Sequence, residues 1–263
     1  MIAPARPAVD AGSDAQRRFE KAARAAGFDP DDRWVGGYAD YEWDHLRPAL
    51  EAYGINASAR DVLEFGCNVG GSSVVLAALG ARLTGVDIDP LIVPIAEANL
   101  ARHGVEGCFH LAVKNGDLPF ADASFDLILA NSVFEYVDPA RLTATVAELH
   151  RVLRPGGALF ICGTASRLAL RERHSGRWLV NYLPRLADRL SGRPLQRGLS
   201  PWQLARALRG RFVDVSGGGW RATRCAIHRA PSLPIRGYAL LGGWIRRTPG
   251  WFAPHIELLL RKP

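Results

Sequence analysis

A chain of 263 residues, 48% of them hydrophobic, is long enough for one large domain with a substantial core, or one domain with an appended piece. Its four cysteines, Cys67, Cys108, Cys162 and Cys225, lie far apart and show no metal-ligand spacing, which argues against a disulfide framework or a metal cluster and predicts reduced thiols in a cytoplasmic protein. The net charge of +7 is divided unevenly: residues 1–163 carry 14 Lys and Arg against 22 Asp and Glu, whereas residues 164–263 carry 19 against 4, so the last third is suited to a phosphate-bearing substrate, nucleic acid or an anionic membrane surface.

Residues 1–12 read as disordered, with no apolar run of a secretory signal, and "SDAQRRFEKAARAAG" has a cap and helical spacing. After a loop, "YADYEWDHLRPALEAYG" reads as a second helix despite Pro48. Strands and helices then alternate: strand "DVLEFG" and helix "GSSVVLAALG", strand "ARLTGVDID" and helix "PLIVPIAEANLARHG", strand "GCFHLAVKN", strand "FDLILANSV" and helix "DPARLTATVAELHRVL". The turn "RPGG" leads to strand "ALFICGT". Near-continuous apolar strands separated by helices predict a parallel sheet covered on both faces. Past residue 164 the pattern changes. Residues 165–210 are Arg-rich and expected to be largely helical, "RFVDVSGG" is a short strand, residues 220–254 look basic, aromatic and irregular, and "HIELLLRK" is a final strand. The longest apolar run, "GYALLGGWI" at residues 237–245, is too short to span a membrane.

The stretch "VLEFGCNVGGSS", residues 62–73, runs from an apolar strand into Glu64, three glycines and two serines. A strand, a glycine-rich turn and a helix N-terminus form an anion-binding corner beside a carboxylate. Asp87 follows 23 residues after Glu64, at the end of the next strand, where an acid can accept hydrogen bonds from a ribose diol. A dinucleotide fingerprint would need a third glycine where Asn68 stands, and Glu64 would repel a pyrophosphate. Glu64 suits instead a nucleoside cofactor that carries positive charge, and S-adenosylmethionine (SAM) carries a sulfonium and an ammonium.

The four blocks "VLEFGCNVGGSS", "LTGVDID", "LPFADASFDLILANSVFEYV" and "LHRVLRPGGALFI" together resemble the class I SAM-dependent methyltransferases, particularly the group acting on small molecules, lipids and sugars. The resemblance covers roughly residues 60–163. It implies a doubly wound α/β fold of the Rossmann-like type, with seven mostly parallel strands and the last one antiparallel. It further implies that Glu64 lies under the methionine part of the cofactor, that Gly66 and Gly70 allow close backbone approach, and that Asn68 replaces a more usual glycine. Asp87 would take the ribose hydroxyls, Ile88 would pack on the adenine, Asp117 (with Asn115 as alternate) would meet the adenine amino group, and Asn131 would face the methyl group. The family often carries an acid a few positions before "LPF", where this chain has Lys114 or Asn115. "NSVF" at residues 131–134 lacks both prolines of the amine-methylating Asn-Pro-Pro signature.

Methyl transfer to an oxygen of high pKa profits from a general base. His174, in the basic insert, and Glu135, just after the fourth strand, are the candidates, with His45 behind them. His103, His110 and His150 read as structural. Tyr38, Tyr41 and Trp43 are expected to cover the cofactor or to pack the N-terminal helix on the sheet. The expected organisation is a helical N-terminal cap (residues 1–55), a SAM-binding α/β core (56–164), a helical basic insert acting as a substrate lid (165–210), and C-terminal strands with a basic aromatic insertion (211–263). The expected reaction is O-methylation of a small molecule or a lipid- or glycan-linked intermediate in the cytoplasm, with peripheral membrane contact through the basic C-terminal region. RNA methylation, a NAD(P)-dependent oxidoreductase and a non-catalytic relative are the alternatives. No RNA-binding module is recognisable, which counts against a nucleic-acid partner.

Overall fold

The computed structural model describes residues 4–111, 117–184, 195, 197–228 and 232–263. Seven strands form one sheet: β1 (Asp61–Phe65), β2 (Arg82–Asp87), β3 (Cys108–Leu111), β4 (Phe125–Asn131), β5 (Leu153–Ala165), β6 (Val213–Asp214) and β7 (His255–Arg261). Their order is β3-β2-β1-β4-β5-β7-β6. Strands β1 to β5 pair in parallel, and β7 runs antiparallel to both β5 and β6. The sheet is the expected doubly wound one. Strand order reverses between β1 and β4, and their carboxyl ends are where such sheets open a ligand crevice.

Alternation along β4 assigns its two faces. Leu127 and Leu129 join Val62, Val74, Leu76, Trp43, Leu46 and Phe160 under α2 (Tyr38–Ala52) and α3 (Gly71–Ala78). Ile128 and Ala130 join Val146, Leu149, Leu204 and Leu208 under α5 (Leu142–Val152) and α6 (Pro201–Leu208). A third, smaller core seats α1 (Asp14–Ala25) on α4 (Val93–Arg102) through Phe19, Ala23, Ile92 and Ile95. Helix α1 starts where the Ser13 hydroxyl accepts the Gln16 amide at 3.1 Å. The described residues before it form no helix or strand, but Arg6 is paired with Asp40 and Asp44 of α2.

Three expectations are corrected. Within residues 165–210, the described part is helical only at Pro201–Leu208 and in a short turn at Val180–Tyr182. Residues 171–178 instead form a hairpin-like bridge between Arg171 and Trp178. The Glu172 carboxylate draws the His174 and Ser175 amides (2.9 and 2.6 Å), which competes with helical bonding. The segment read as irregular holds two helices, α7 (Gly219–Ile227) and α8 (Leu233–Ile245). "RPGG", read as a turn, lies inside β5, where Gly156 donates to the Lys262 carbonyl at 2.9 Å.

One buried cation fastens the N-terminal cap. Arg102 of α4 is 8% exposed and donates to Asn99 Oδ1 (2.8 Å), Gln16 Oε1 (3.1 Å) and the Gly36 carbonyl (2.6 Å), with its guanidinium 3.7 Å over the Phe19 ring. All its hydrogen-bond acceptors are neutral, and burial lowers its pKa to about 10. Replacing it by alanine strands the Gly36 carbonyl and removes the cover of Phe19. Arg102→Ala is expected to cost about 3 kcal/mol in urea unfolding and to speed hydrogen exchange in α1 before the rest of the chain. A parent-like unfolding curve would contradict the clamp.

Candidate functional site

Strand β1 ends at Phe65 and the chain turns through Gly66, Cys67, Asn68 and Val69 into α3. Gly66 has φ +76°, and a Cβ there would lie 2.6 Å from Val133 Cγ2, so glycine keeps the floor of the crevice open. Asn68 also takes the left-handed region, at φ +46°, a conformation asparagine tolerates. Gly70 has φ +79° and sits against Ala96 of α4, outside the crevice lining. The crevice has a volume of about 560 Å³. Phe65, Gly66 and Asn68 form one side, Val86, Asp87, Ile88 and Ile92 another, and Leu118, Ser132, Val133 and Tyr136 face them. Ile88 is 57% exposed at this wall.

Asp87 holds the turn as well as the crevice. Its carboxylate accepts the Asn68 amide at 3.0 Å and the Asp89 amide at 3.1 Å. Each carboxylate oxygen has a further lone pair, so the group can still receive a diol from the crevice. Asp117 is exposed and does not line the crevice, although its neighbour Leu118 does. Lys114 and Asn115 lie outside the described residues.

Beside the crevice lie two buried acids, one at the tip of β1 and one on α2. Glu64 is 2% exposed and its carboxylate accepts the Ser73 hydroxyl. It has no salt bridge among the described residues, and burial first, then the facing Glu42 carboxylate, push its pKa up to about 8 against the Ser73 bond. Glu42 comes from α2, is 4% exposed, and is likewise raised by burial. Asn131, at the end of β4, donates from Nδ2 to Glu42 Oε1 (2.9 Å) and to Ser72 Oγ (2.9 Å), so one amide joins β4, α2 and α3. Tyr38 presses on the start of α3, where any side chain at Gly71 would overlap its ring. Sequence reasoning missed Glu42. It lies in an ordinary amphipathic helix 22 residues before Glu64, and no local signal marks it.

The two base candidates meet. Glu135 follows β4 in a short 3-10 turn, is buried, and accepts the Ala165 amide at 3.2 Å. Its Oε1 lies 3.6 Å from His174 Nε2. The hydroxyl of Tyr136, which lines the crevice, lies 3.2 Å from His174 Nδ1 and 3.3 Å from its Nε2. Arg173 donates to Ser132 Oγ (3.2 Å) and to the Gly163 carbonyl, and it also borders a second cavity of about 360 Å³. That cavity is lined by Ala165, Arg171, Glu172 and His255. His255 Nδ1 has no hydrogen-bond partner among the described residues, and burial, with Arg173 and Arg224 nearby, lowers its pKa to about 4. Arg173 therefore links the second cavity to Ser132, which lines the crevice.

The other histidines are occupied elsewhere. His45 Nδ1 lies 2.7 Å from the Tyr41 carbonyl and its ring stacks on Tyr41 at 4.0 Å. His103 Nδ1 meets the Asn99 carbonyl at 2.8 Å, while His110 and His150 set their rings edge-on to Phe120 and Phe212. Trp43 is buried in the core under α2. Among the described residues no cluster of His, Cys, Asp and Glu could hold a metal ion.

The chain is similar to known proteins over this same region. A family model for a methyltransferase domain matches residues 63–161. A demethylmenaquinone methyltransferase of Tropheryma whipplei is 31% identical over 182 residues, covering 69% of this chain and 72% of that one. A methyltransferase of Synechocystis, itself uncharacterised, is 30% identical over 176 residues, 66% of this chain and 73% of that one. Among solved structures, a SAM-dependent methyltransferase of Methanosarcina mazei matches with TM-score 0.51 at 24% identity over 65% of this chain and 86% of that one. Another, from Mesorhizobium loti, matches with TM-score 0.52 at 18% identity over 84% and 97%, which speaks for the fold.

The raised pKa of Glu64 has a testable sign. The unfolded chain ionises this carboxyl near its ordinary value of 4.5, while the folded one keeps its proton to about 8. The folded state binds more protons across that window, so Glu64 withdraws stability as pH rises from about 4.5 to 8. Glu64→Gln is expected to be more stable than the parent at pH 8 and to match it near pH 4.5, in thermal melts without added ligand. A difference independent of pH would contradict the burial argument.

Proposed function

The chain belongs to the class I SAM-dependent methyltransferases, and from that premise we propose that it transfers a methyl group from SAM to an oxygen of a small, partly apolar acceptor. The proximity of Glu135, His174 and Tyr136 at the rim of the crevice carries this reading. The residues present fit the cofactor's chemistry. A buried acid with no salt bridge among the described residues, Glu64, facing a second one, Glu42, suits an ammonium, an open glycine floor suits a nucleoside, and Asp87 faces the crevice as a diol acceptor would.

When bound, SAM supplies a methyl group on an already activated sulfonium, so alignment and exclusion of water do much of the work. In this reading Glu64 and Glu42 would hold the ammonium, beside which Glu64 would be ionised, its proton released to solvent. Asp87 would accept from the ribose hydroxyls, Ile88 would cover the adenine, and Asn131, tied to Glu42 and Ser72 at the end of β4, would face the methyl group. Asp117 remains the proposed partner of the adenine amino group, reached from the rim.

The His174 ring, with Glu135 at 3.6 Å from Nε2 and the Tyr136 hydroxyl at 3.2 and 3.3 Å from its two nitrogens, is the group placed to take a proton. An acceptor hydroxyl beside Tyr136 would lose its proton to the His174 ring as the oxygen attacks, and Glu135 would stabilise the imidazolium formed. The second cavity, bounded by Arg171, Arg173 and His255, is the proposed acceptor chamber. Leu170, Trp178, Leu179 and Tyr182 are each more than half exposed on the same insert, which favours an acceptor with an apolar portion. The T. whipplei relative, named for action on demethylmenaquinone, supports a small-molecule acceptor. Family membership speaks against the nicotinamide alternative.

Calorimetric titration with SAM, S-adenosylhomocysteine and NAD tests the cofactor site. Binding of the first two and not the third is expected, and Asp87→Ala should weaken SAM at least tenfold. Transfer of radiolabelled methyl to a panel of hydroxylated small molecules tests the rest. Once an acceptor is found, His174→Gln should lower kcat roughly 100-fold or more with SAM affinity unchanged. Unchanged kcat, or label appearing in RNA alone, would overturn this reading.

A further inference from the structure

Helix α8 is apolar on the wrong side. Its inner face sets Ile235, Tyr238, Ala239 and Gly242 against the protein, with the Tyr238 ring 6.4 Å from Trp220 and 6.2 Å from Phe252. Its outer face carries Leu233, Leu240 and Trp244, spaced seven and four residues apart and therefore aligned in one stripe. These three are 80%, 77% and 83% exposed, and Leu241 and Ile245 widen the stripe at 42% and 41%. A surface helix normally turns charge outward, and one that is apolar all round is normally enclosed. Isolated exposed leucines need no explanation, but five large apolar side chains on one short helix form a contiguous patch.

What borders the stripe is cationic. Arg236 lies on the exposed side of the helix, and Arg246 and Arg247 follow its last turn, all exposed. Arg246 and Arg247 also line, with Arg221 of α7, a cavity of about 600 Å³ at the end of the helix. One acid, Asp214, reaches this cavity, and its oxygens already accept Trp251 Nε1 (2.7 Å) and the Ser216 amide (2.9 Å). A protein partner would need an apolar groove rimmed by acids. An anionic bilayer offers both complements at once: acyl chains for Leu233, Leu240 and Trp244, and phosphate for the arginines beside them. The helix has 13 residues, about 20 Å, which suits lying in the interface and not crossing it. No helix among the described residues is long and apolar enough to cross a membrane.

We propose that α8 is an interfacial docking element that seats this protein on an anionic phospholipid surface, with Leu233, Leu240 and Trp244 among the acyl chains and Arg221, Arg246 and Arg247 on lipid phosphates. The proposal does not depend on which acceptor is methylated. Flotation of the full chain with vesicles tests it, using 30% phosphatidylglycerol in phosphatidylcholine against phosphatidylcholine alone. The parent should float with the anionic vesicles at low salt and be released as salt rises. Leu240→Ser combined with Trp244→Ser should reduce partition at least tenfold while melting like the parent, because both side chains are exposed. Arg246→Glu combined with Arg247→Glu should reduce it at least 25-fold on anionic vesicles, since each arginine is worth about fivefold. Failure of the parent to float overturns the proposal, as does equal flotation of the serine variant. So does a parent that self-associates in gel filtration without lipid and is made monomeric by the serine pair, since the stripe would then be the seat of a second copy.

Discussion

A carboxylate taken out of water without a cation beside it is the constraint around which the carboxyl end of this sheet is arranged. Glu64 sits at the tip of β1 with a serine hydroxyl for company and a second acid, Glu42, facing it. Isolated burial of a charge is costly, so the group stays protonated until something positive arrives. The elements around it serve that condition. Helix α2 supplies Glu42 and roofs the site, α3 supplies Ser72 and Ser73, and Asn131 ties the three together. The roof depends in turn on the cap, which Arg102 holds to α4 through Gly36 just ahead of α2. Stability given up at Glu64 is thus coupled to affinity for a cationic ligand, which is how binding sites often differ from the rest of a fold.

Much of the core could be read from the chain because its signals are local. Apolar runs such as "FDLILAN" bounded by turn residues become central strands, and the glycine-rich turn and the acid at the next strand tip fall where a doubly wound sheet puts them. The predicted pair Glu135 and His174 could be named but not joined, since 39 residues separate them and only the fold of the insert brings them to 3.6 Å. Glu42 and Arg173 had no mark of their own. Their roles come from tertiary proximity, the first to Glu64 and the second to Ser132 and Gly163.

The misread segments failed for identifiable reasons. Residues 171–178 carry helical composition, but Glu172 spends its side chain on the two amides that a helix would use, and Glu172 N donates back to the Arg177 carbonyl at 2.9 Å. In α8 the prolines and glycines suggested irregularity. Pro234 stands in the first turn, where a missing donor costs nothing, and Gly242 is there because a side chain would strike the Arg247 carbonyl and Pro249. Breakers in a sequence can therefore mark a tight packing contact as well as a bend.

The antiparallel pairing of β7 between β5 and β6 carries a consequence for how the protein is made. Strand β5 leaves the ribosome about 90 residues ahead of the strand that covers its open side. At ordinary rates of translation that interval is on the order of 5–20 s, during which "ALFIC" presents bare amides and carbonyls along a buried-type edge. That edge stays open until Ile256, Leu258 and Leu260 arrive to close the sheet and complete the core on this side.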